Sequence, residues 1–462
     1  MIRFRQPATL ALLGALFACR ADQTTGNHLT TSPPTPVLVK TTQWAGGEIE
    51  IQSVGFKGAG ALPVVTANAE TLAIRRVDDS TVAARMPAQA GAYTVRVGAG
   101  GYTTAYPPLT LYGFSEEEVG PVMSGRVALV NPGAASPLVL SYGDSGAVVV
   151  DLAANGVVAT IPDSVASPDC AWSPGPSYRG AGYFVVQGAV SGTCRTPQVW
   201  RLYPSVTPVT TTSPVIVFPW YVMAEVGASR WYAENNNHEW FWPCDSQPCE
   251  DAELTWDIGA WKVALDPAGG IFVPTPSAYP GWASGPPSSF AVSTLDTATR
   301  YTQLGALLDG VFTATGDTLF AFAQAPSDTP RVYAPMHLTA VQASSGAVAR
   351  DQPLDSLGFG AATQLFSAVA ADPAGPYLYA LTGYAVDSTV VPTLVVLDRA
   401  SWSVVGIAMA SGSSAATENT LALNGAGWII PAPRLHKVFV VVAYLGYNEH
   451  GHPATILVFD TP

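Results

Sequence analysis

The residue types best suited to chemistry are concentrated between residues 229 and 256, in the segment SRWYAENNNHEWFWPCDSQPCEDAELTW. Tryptophan and tyrosine rings stand there beside amide, imidazole and carboxylate groups. Rigid aromatic faces next to hydrogen-bonding groups can stack on sugar rings or contact an apolar partner. The segment therefore predicts a ligand-binding surface, with the candidate residues Trp231, Tyr232, Asn236, His238, Trp240 and Trp242. The alternative is that the rings pack between sheets and the asparagine run forms a turn.

Carboxylates and histidines offer weaker candidates for catalysis or metal binding. Acids between residues 225 and 253 could form the carboxylate pair of a glycoside hydrolase, but that mechanism depends on a separation in space. His450 and His452 would share one face of a strand and could meet one metal ion, whereas the glycine and proline beside them indicate a loop. We therefore predict no catalytic residue, no metal site and no cofactor.

The motif GDSG at residues 143–146 resembles the nucleophile turn of chymotrypsin-like proteases. That chemistry needs a histidine base and an orienting acid within reach of the serine. The one histidine that precedes the motif, His28, falls in a polar segment that cannot build a core. Because Gly, Asp and Ser are typical turn residues, we interpret GDSG as a turn between two strands.

The N-terminus has the pattern of an export signal over residues 1–18. Arg3 and Arg5 precede an apolar run at residues 8–18, which is shorter than the roughly 20 residues that span a bilayer. The run ends in LFAC, which resembles the lipobox of bacterial lipoproteins, although Phe17 is bulkier than the usual residue there. The resemblance implies cleavage before Cys19, a lipid on Cys19 and a flexible tether over residues 19–35. The alternative is an ordinary signal peptide that includes Cys19.

The charge balance limits the classes of partner that we expect the protein to bind. With 21 Lys and Arg against 34 Asp and Glu, the net charge of −13 repels phosphate backbones and anionic headgroups, so we expect no nucleic-acid partner. The lipid, and not a basic patch, would then hold the protein at the membrane. In a Gram-negative lipoprotein an Asp after the lipid-bearing Cys favours the inner membrane. Arg20 therefore predicts the outer membrane, in the bacterial cell envelope.

The remaining cysteines favour disulfides. Apart from Cys19, the chain has four cysteines in two near pairs, Cys170 with Cys194 and Cys244 with Cys249. An even number of cysteines in an exported chain is typical of disulfides. A metal site at CDSQPC is the weaker alternative, because its C-x4-C spacing is loose for zinc and no second pair lies close in sequence.

Composition and strand spacing predict an all-β protein with about two domains. The chain of 462 residues contains 43 Gly and 39 Pro, and only 12% of its residues are charged. Short strand candidates recur about every ten residues over residues 36–114, which is typical of an antiparallel sandwich. GGEIEIQSVGF and DDSTVAARMPAQAGAYTVRV resemble the IPT/TIG type of immunoglobulin-like domain. In exported proteins the resemblance implies a spacer or interaction module.

A recurring hairpin organises residues 123–462, after a charged break at residues 114–122. VVVDLAANGVVATIP at 148–162 returns around Asp296, Gln342, Asp398 and Asp460, and further copies are expected near Arg201 and residues 245–250. Seven units of about 49 residues predict a β-propeller, whose closing strand would be GRVALVN at 125–131. The hairpin resembles the repeat of YVTN-type seven-bladed propellers.

These expectations combine into a bacterial envelope lipoprotein: an N-terminal immunoglobulin-like sandwich followed by a β-propeller of about seven blades. The leading function is non-catalytic binding or scaffolding of a protein or glycan. The alternative is a propeller hydrolase or lyase acting on a polysaccharide or lactone. Because propellers support both classes, the fold alone does not choose between them.

Overall fold

The computed structural model describes most of the chain between Thr35 and Pro462. The described residues are 35–53, 56, 63–99, 102–118, 126–130, 137–143, 146–162, 172–173, 183–186, 198–201, 207–209, 221–226, 230–235, 242–245, 264–265, 270–273, 288–291, 297–304, 307–324, 335–358, 362–373, 375–386, 389–410, 416–417, 424–445 and 455–462. All described strands belong to one compact unit, Pro36–Pro462.

The described residues are all-β. They contain antiparallel sheets and two short 3-10 turns, Asp355–Leu357 and Pro433–Leu435, but no α-helix. None of the elements described is a helix that could cross a membrane. The all-β prediction from composition is therefore confirmed.

The N-terminal part forms ten short strands. They are β1 Val37–Lys40, β2 Glu48–Gln52, β3 Val64–Ala67, β4 Glu70–Thr71, β5 Ile74–Val77, β6 Thr81–Arg85, β7 Gly91–Tyr93, β8 Val95–Ala99, β9 Tyr102–Ala105 and β10 Leu109–Leu111. They pair in the orders β1-β2-β6-β5, β4-β3-β8-β9 and β10-β7. We call residues 36–111 the N-terminal sheets.

Alternation of apolar and polar residues gives these sheets a shared core. In β2, Ile49 and Ile51 are fully buried while the glutamates between and beside them are only half-buried. These isoleucines join one cluster with Val65 of β3 and Val97 of β8, from the other four-stranded sheet. A period of two places one set of side chains in the core and the other toward solvent.

Two of the predicted N-terminal strands are divided between sheets. The segment TLAIRRV forms β4 and β5, and AYTVRVG forms β7 and β8, with the two members of each pair in different sheets. The strand β9, at Tyr102–Ala105, was not predicted. Its sequence YTTA carries little of the apolar alternation that identifies a strand.

The rest of the chain forms strands β11 to β38. They are β11 Phe114–Glu118, β12 Arg126–Val130, β13 Leu138–Gly143, β14 Gly146–Asp151, β15 Gly156–Pro162, β16 Trp172–Ser173, β17 Tyr183–Val186, β18 Gln198–Arg201, β19 Thr207–Val209, β20 Tyr221–Val226, β21 Arg230–Asn235, β22 Trp242–Asp245, β23 Ala264–Leu265, β24 Gly270–Val273, β25 Ser288–Ala291, β26 Thr297–Arg300, β27 Leu307–Phe312, β28 Thr318–Gln324, β29 Met336–Gln342, β30 Val348–Pro353, β31 Ala362–Ala371, β32 Tyr377–Val386, β33 Thr389–Asp398, β34 Val404–Met409, β35 Ala416–Thr417, β36 Asn424–Ala432, β37 Lys437–Leu445 and β38 Thr455–Asp460.

Among the described residues, these strands form seven antiparallel sheets. Their orders are β12-β13-β14-β15, β16-β17-β18-β19, β20-β21-β22, β23-β24-β25-β26, β27-β28-β29-β30, β31-β32-β33-β34 with β35 beside β33, and β11-β38-β37-β36. Six of the seven sheets run in chain order, and each is a simple meander. In the later part of the chain, the strand that begins each meander contacts the strand that begins the next one. Strand β23 contacts β27, β27 contacts β31, and β31 contacts β36, which begins the run β36-β37-β38.

A buried carboxylate links two of these first strands. Asp309 of β27 is 3% exposed, and its carboxylate accepts hydrogen bonds from the backbone N–H of Gly310 and of Val369 in β31, each at 2.9 Å. A buried carboxylate is stable only when its lone pairs are satisfied in this way. Asp309 therefore helps to fix one sheet against the next.

The seventh sheet joins distant parts of the chain. Strand β11 pairs with β38, with Phe114 opposite Phe459 and Glu118 opposite Leu457. The sequence prediction of a break at residues 114–122 is therefore wrong for residues 114–118, and GRVALVN is not the closing strand. That segment forms β12, which opens the next sheet by pairing with β13. The sequence did not predict the role of β11 for two reasons. Its residues are largely acidic, and pairing with a strand far away in sequence leaves no local pattern.

The recurring hairpin has one turn geometry in three sheets. The third strand ends at Asp151, Gln342 or Asp398, and the residue four positions later has a positive φ: Asn155 (47°), Gly346 (69°) and Trp402 (61°). A β-bulge lies at the same place before each turn, between Val149 and Val150 in the first copy. The repetition predicted from sequence is therefore a repetition of backbone conformation.

Other predicted copies of the hairpin coincide with third strands as well. The strands β18, β22 and β38 end at Arg201, Asp245 and Asp460. Asp296 lies outside the described residues. The bulge of that sheet lies between Ser289 and Phe290, which aligns Ala291 with Asp151.

The second strands of five sheets are β17, β24, β28, β32 and β37, in the segments AGYFVVQGA, GGIFVPTP, TGDTLFAFA, AGPYLYALTG and HKVFVVVAY. Among them, β28, β32 and β37 have consecutive buried residues, because both of their neighbours are strands and both of their faces are covered.

Candidate functional site

The aromatic segment is placed on a hairpin of the three-stranded sheet. Trp231 and Tyr232 lie in β21, and Trp242 opens β22. The register sets Trp231 opposite Cys244 and Ala233 opposite Trp242. Alternate positions along a strand share a face, so the two tryptophan positions belong to the same face of this hairpin.

The other candidate residues of the segment lie between these two strands in the sequence. Asn236, His238 and Trp240 lie in the connection from β21 to β22, outside the described residues. The topology brings three of the six candidate positions, Trp231, Tyr232 and Trp242, into one hairpin.

Most of the predicted covalent sites also lie outside the described residues. Cys19, Cys170, Cys194 and Cys249 are all in this category, while Cys244 lies in β22. Lipidation of Cys19 and the two disulfides therefore stay predictions.

The two glycines of the GDSG motif belong to two paired strands, which agrees with the interpretation of the motif as a turn. Strand β13 ends at Gly143, β14 begins at Gly146, and these two glycines pair with each other. Asp144 and Ser145 lie outside the described residues, between the two strands. His450 and His452, in the connection between β37 and β38, lie outside the described residues too.

A histidine–carboxylate pair that sequence reasoning missed lies on β29 and β30. Nδ1 of His337 is 2.6 Å from Oδ2 of Asp351, and the hydroxyl of Thr339 donates to Oδ1 of Asp351 at 2.8 Å. The His337 side chain is 19% exposed and that of Asp351 is 43% exposed. The register sets Asp351 opposite Thr339 and His337 opposite Pro353, so the contact between His337 and Asp351 is diagonal and depends on a β-bulge that no local sequence signal reveals.

The chemistry open to this pair is limited. A carboxylate on Nδ1 orients the imidazole and leaves Nε2 as the reactive nitrogen. The only hydroxyl in the arrangement, that of Thr339, is held by the same carboxylate and does not face the imidazole. Among the described residues, the hydrogen-bond partners of His337 and Asp351 include no nucleophile. The pair is therefore better explained as a contact that holds β29 against β30 than as a catalytic group.

Buried tyrosines mark packed polar positions in the sheet β31–β34. Burial raises the pKa of Tyr379, and the nearby Asp372 raises it further. Burial likewise raises the pKa of Tyr384, whose hydroxyl donates to the carbonyl of Leu354 at 2.7 Å. Both rings are therefore neutral at pH 7 and act as hydrogen-bond donors within the core. No cluster of three His, Cys, Asp or Glu residues suitable for a metal ion occurs in the described part of the chain.

Comparison with known proteins gives structural similarities without a family. No family model and no curated protein matches the chain. A hydrazine synthase structure from Kuenenia stuttgartiensis is 14% identical, with 75% of this chain and 98% of that chain covered at a TM-score of 0.45. A putative phosphatase from Bacteroides thetaiotaomicron is 10% identical, with 80% and 95% covered at 0.38. An auxiliary nutrient binding protein from Bacteroides ovatus is 12% identical, with 90% and 95% covered at 0.35.

Proposed function

We propose that this protein is a rigid binding or scaffold module of the bacterial envelope. In this proposal an immunoglobulin-like sandwich over residues 36–114 is fixed to a seven-bladed β-propeller built by the remaining strands. Lipid on Cys19 anchors the assembly to the outer membrane through the tether of residues 19–35. The ligand is a protein or a glycan, and no catalytic residue is assigned.

The propeller part of the proposal is supported by three properties of the described sheets. They number seven, they are mostly meanders in chain order, and their first strands contact one another from sheet to sheet in the later part of the chain. The pairing of β11 with β38 completes the last sheet with an N-terminal strand. Closing a ring in this way removes open sheet edges. The closing strand shifts the proposed start of the propeller to Phe114.

The observation that carries the scaffold function is the attachment of the N-terminal sheets to β34. The loop between β1 and β2 supplies the carbonyl of Ala45, which accepts from the N–H of Ile407 at 2.8 Å. The carbonyl of Ala88 accepts from the N–H of Met409 at 3.0 Å. These bonds occupy the outer edge of β34, so the N-terminal sheets are attached to this sheet although their own core is a separate cluster.

A buried tryptophan packs where the N-terminal sheets are attached. Trp44 is 4% exposed and lies in one apolar cluster with Tyr379 and Phe459. Its ring centroid is 5.0 Å from that of Tyr377, edge to face, and 5.8 Å from that of Phe459. Aromatic contacts of this kind contribute about 1 kcal/mol beyond the burial of apolar area. A body fixed in this manner can present a binding surface at a constant orientation.

The binding surface is tested with the mature protein against peptidoglycan fragments, pectin, alginate and envelope extracts. We expect a retained ligand whose binding falls at least about tenfold in Trp240→Ala and in Trp242→Ala. Trp402→Ala, in a different sheet, is the matched control and should retain binding. Unchanged binding in both hairpin variants would exclude this segment. Release of cleavage products from a polysaccharide or lactone would instead support a hydrolase or lyase.

The anchor is tested separately in cells. Mass spectrometry of membrane fractions should find a lipid-modified N-terminus in the wild-type strain and unmodified, soluble protein in a Cys19→Ala strain. A lipid-modified protein in the Cys19→Ala strain would refute attachment at Cys19. Fractionation of inner and outer membranes then tests the role of Arg20.

A further inference from the structure

The outer strand β15 of the sheet β12–β15 is an uncharged sheet edge. Its sequence, GVVATIP, has no ionisable side chain, and Val157 and Val158 are 43% and 54% exposed. In the described part of the chain, β15 pairs with β14 alone, and no hydrogen bond reaches its other side. Unpaired N–H and C=O groups beside exposed apolar side chains form a template for a further strand.

Other outer strands of the seven sheets are protected against such pairing. Strand β34 is covered by the N-terminal sheets through backbone hydrogen bonds. Strand β30 contains Arg350 and Asp351, and the N–H of Val348 donates to the side chain of Gln303 at 3.0 Å. Strand β11 contains three consecutive glutamates. Charged side chains and covering segments are the usual means by which natural sheets prevent edge pairing, and β15 has neither among the described residues.

The covered edge of β34 shows which backbone groups of β15 face outward. The two strands follow the same turn and have the same bulge, so their residues correspond in order. Thr160 corresponds to Ile407, whose N–H donates to the N-terminal sheets. Val158 corresponds to Val405, whose carbonyl accepts from the hydroxyl of Thr42 at 3.5 Å. The N–H of Thr160 and the carbonyl of Val158 therefore point away from β14.

This edge is complementary to itself. If two copies of β15 lie antiparallel about a two-fold axis at Ala159, Val158 of each copy is opposite Thr160 of the other. The N–H of Thr160 in each copy can then donate to the carbonyl of Val158 in the other, as in an antiparallel ladder. The side chains that meet are β-branched and uncharged, a favourable cross-strand pair. Pro162, which has no N–H, ends the usable edge.

We propose that β15 is a dimerisation edge, on which a second copy of this chain pairs its own β15 in antiparallel orientation. The contact is isologous, because the same strand serves on both sides, and it therefore closes as a dimer. It joins the sheet β12–β15 of the two copies into one continuous sheet. The aromatic hairpin of the proposed function takes no part in this contact.

The charge of the chain determines how the dimer responds to salt. With a net charge of −13, two copies repel each other, whereas the paired strands themselves carry no charge. Salt screens the repulsion between the copies. The affinity of the dimer should therefore rise with ionic strength, while a dimer held by ion pairs would weaken.

The test is sedimentation velocity of the mature protein with Cys19→Ala, so that no lipid drives association, at concentrations up to about 0.5 mM. Because one strand pair is a small interface, we expect a reversible dimer at the higher concentrations. Thr160→Pro removes the outward N–H but keeps the ladder to β14, and should weaken the dimer at least about tenfold. Hydrogen exchange of the Thr160 amide should slow as the concentration of the wild type rises.

Charge variants test whether the occupant is a second copy. Val158→Asp places a carboxylate on the edge and should weaken the dimer at least about tenfold. Adding Thr160→Lys to Val158→Asp sets opposite charges against each other across the two-fold axis and should restore the dimer. Val348→Asp is the matched control, because Val348 is an exposed valine on the outer strand β30, and it should dimerise as the wild type does.

Three results would overturn the proposal. The first is a protein that stays monomeric at every concentration, and the second is a dimer that the Val158 and Thr160 variants leave unchanged. The third is a monomeric protein that binds an unrelated extended peptide along β15, which would exclude a second copy as the occupant. None of these results bears on glycan or protein binding by the aromatic segment.

Discussion

The turn of the recurring hairpin imposes the same left-handed conformation on three different residues. Gly346 adopts it without cost and Asn155 adopts it readily, but a bulky residue such as Trp402 does so only with strain. Trp402 is compensated by packing, since its ring lies 6.0 Å from that of Phe320 in the neighbouring sheet. At Trp402 the energetic cost of the left-handed conformation is therefore offset by a contact between two sheets.

Replacement of Trp402 separates these two effects. Trp402→Ala and Trp402→Gly both lose the contact with Phe320, which we expect to lower the free energy of unfolding by about 2–3 kcal/mol. Glycine also relieves the left-handed strain, so the Gly variant should be more stable than the Ala variant by about 1 kcal/mol. Urea unfolding measures both. The exposed Asn155 provides the control: Asn155→Gly should resemble the wild type and Asn155→Ala should not. Equal stability of Trp402→Ala and Trp402→Gly would contradict the strain.

The carboxylate at the start of the same turn predicts a pH dependence. The backbone N–H and the hydroxyl of Ser401 each donate to Oδ1 of Asp398 at 2.7 Å, and the backbone bond contributes most to lowering the pKa of Asp398. A carboxyl whose folded-state pKa is depressed stabilises the fold above its unfolded pKa of about 3.9, and this contribution is lost as the pH falls further. Wild-type stability should therefore decline below about pH 4.

Asp398→Asn tests this contribution. Asparagine keeps an acceptor oxygen for the turn but does not titrate, so the variant should lose less stability between pH 5 and pH 3 than the wild type. Urea midpoints at the two pH values give the comparison. Identical losses would show that Asp398 does not contribute.

At the scale of elements, the sequence predicts what is local. The hairpin at 148–162 forms β14 and β15 because an apolar run, an Asp and a polar turn together specify a bulged hairpin. The sequence did not predict the closing strand β11, because its partner β38 begins at Thr455 and lies far from β11 along the chain. The pair of His337 with Asp351 required a register, which only the bulge between Ala340 and Val341 defines. Composition alone identified the aromatic segment, whereas its place on the hairpin of β21 and β22 comes from the strand register.

The closing strand makes its own prediction. Phe114 of β11 contacts Phe459 edge to face with 5.3 Å between centroids, and both pack in the cluster that contains Trp44. Phe114→Ala should lower the free energy of unfolding by about 2 kcal/mol and increase hydrogen exchange along β38. Val158→Ala, on an exposed position of β15, is the control and should change neither. Unchanged exchange along β38 in Phe114→Ala would show that β11 does not stabilise its partner.

At the scale of the whole molecule, the attachment to β34 determines whether the N-terminal sheets unfold with the rest. Gly46 has φ of +66°, and a Cβ there would overlap the backbone carbonyl of Ile407. Both the conformation and the space demand glycine, directly beside the Ala45 bond to Ile407.

Gly46→Ala should therefore weaken the attachment by roughly 2–4 kcal/mol, through backbone strain and through the loss of close packing on β34. Differential scanning calorimetry of the mature protein should then show the N-terminal sheets unfolding in a separate, earlier transition, whereas the wild type unfolds them together with the sheet β31–β34. Gly156→Ala is the matched control, because a Cβ there has only the carbonyl of Ala154 nearby, at 3.8 Å. It should leave the profile unchanged. A Gly46→Ala profile that coincides with the wild type would mean that the N-terminal sheets are not fixed by this contact, and the rigid scaffold would lose its main support.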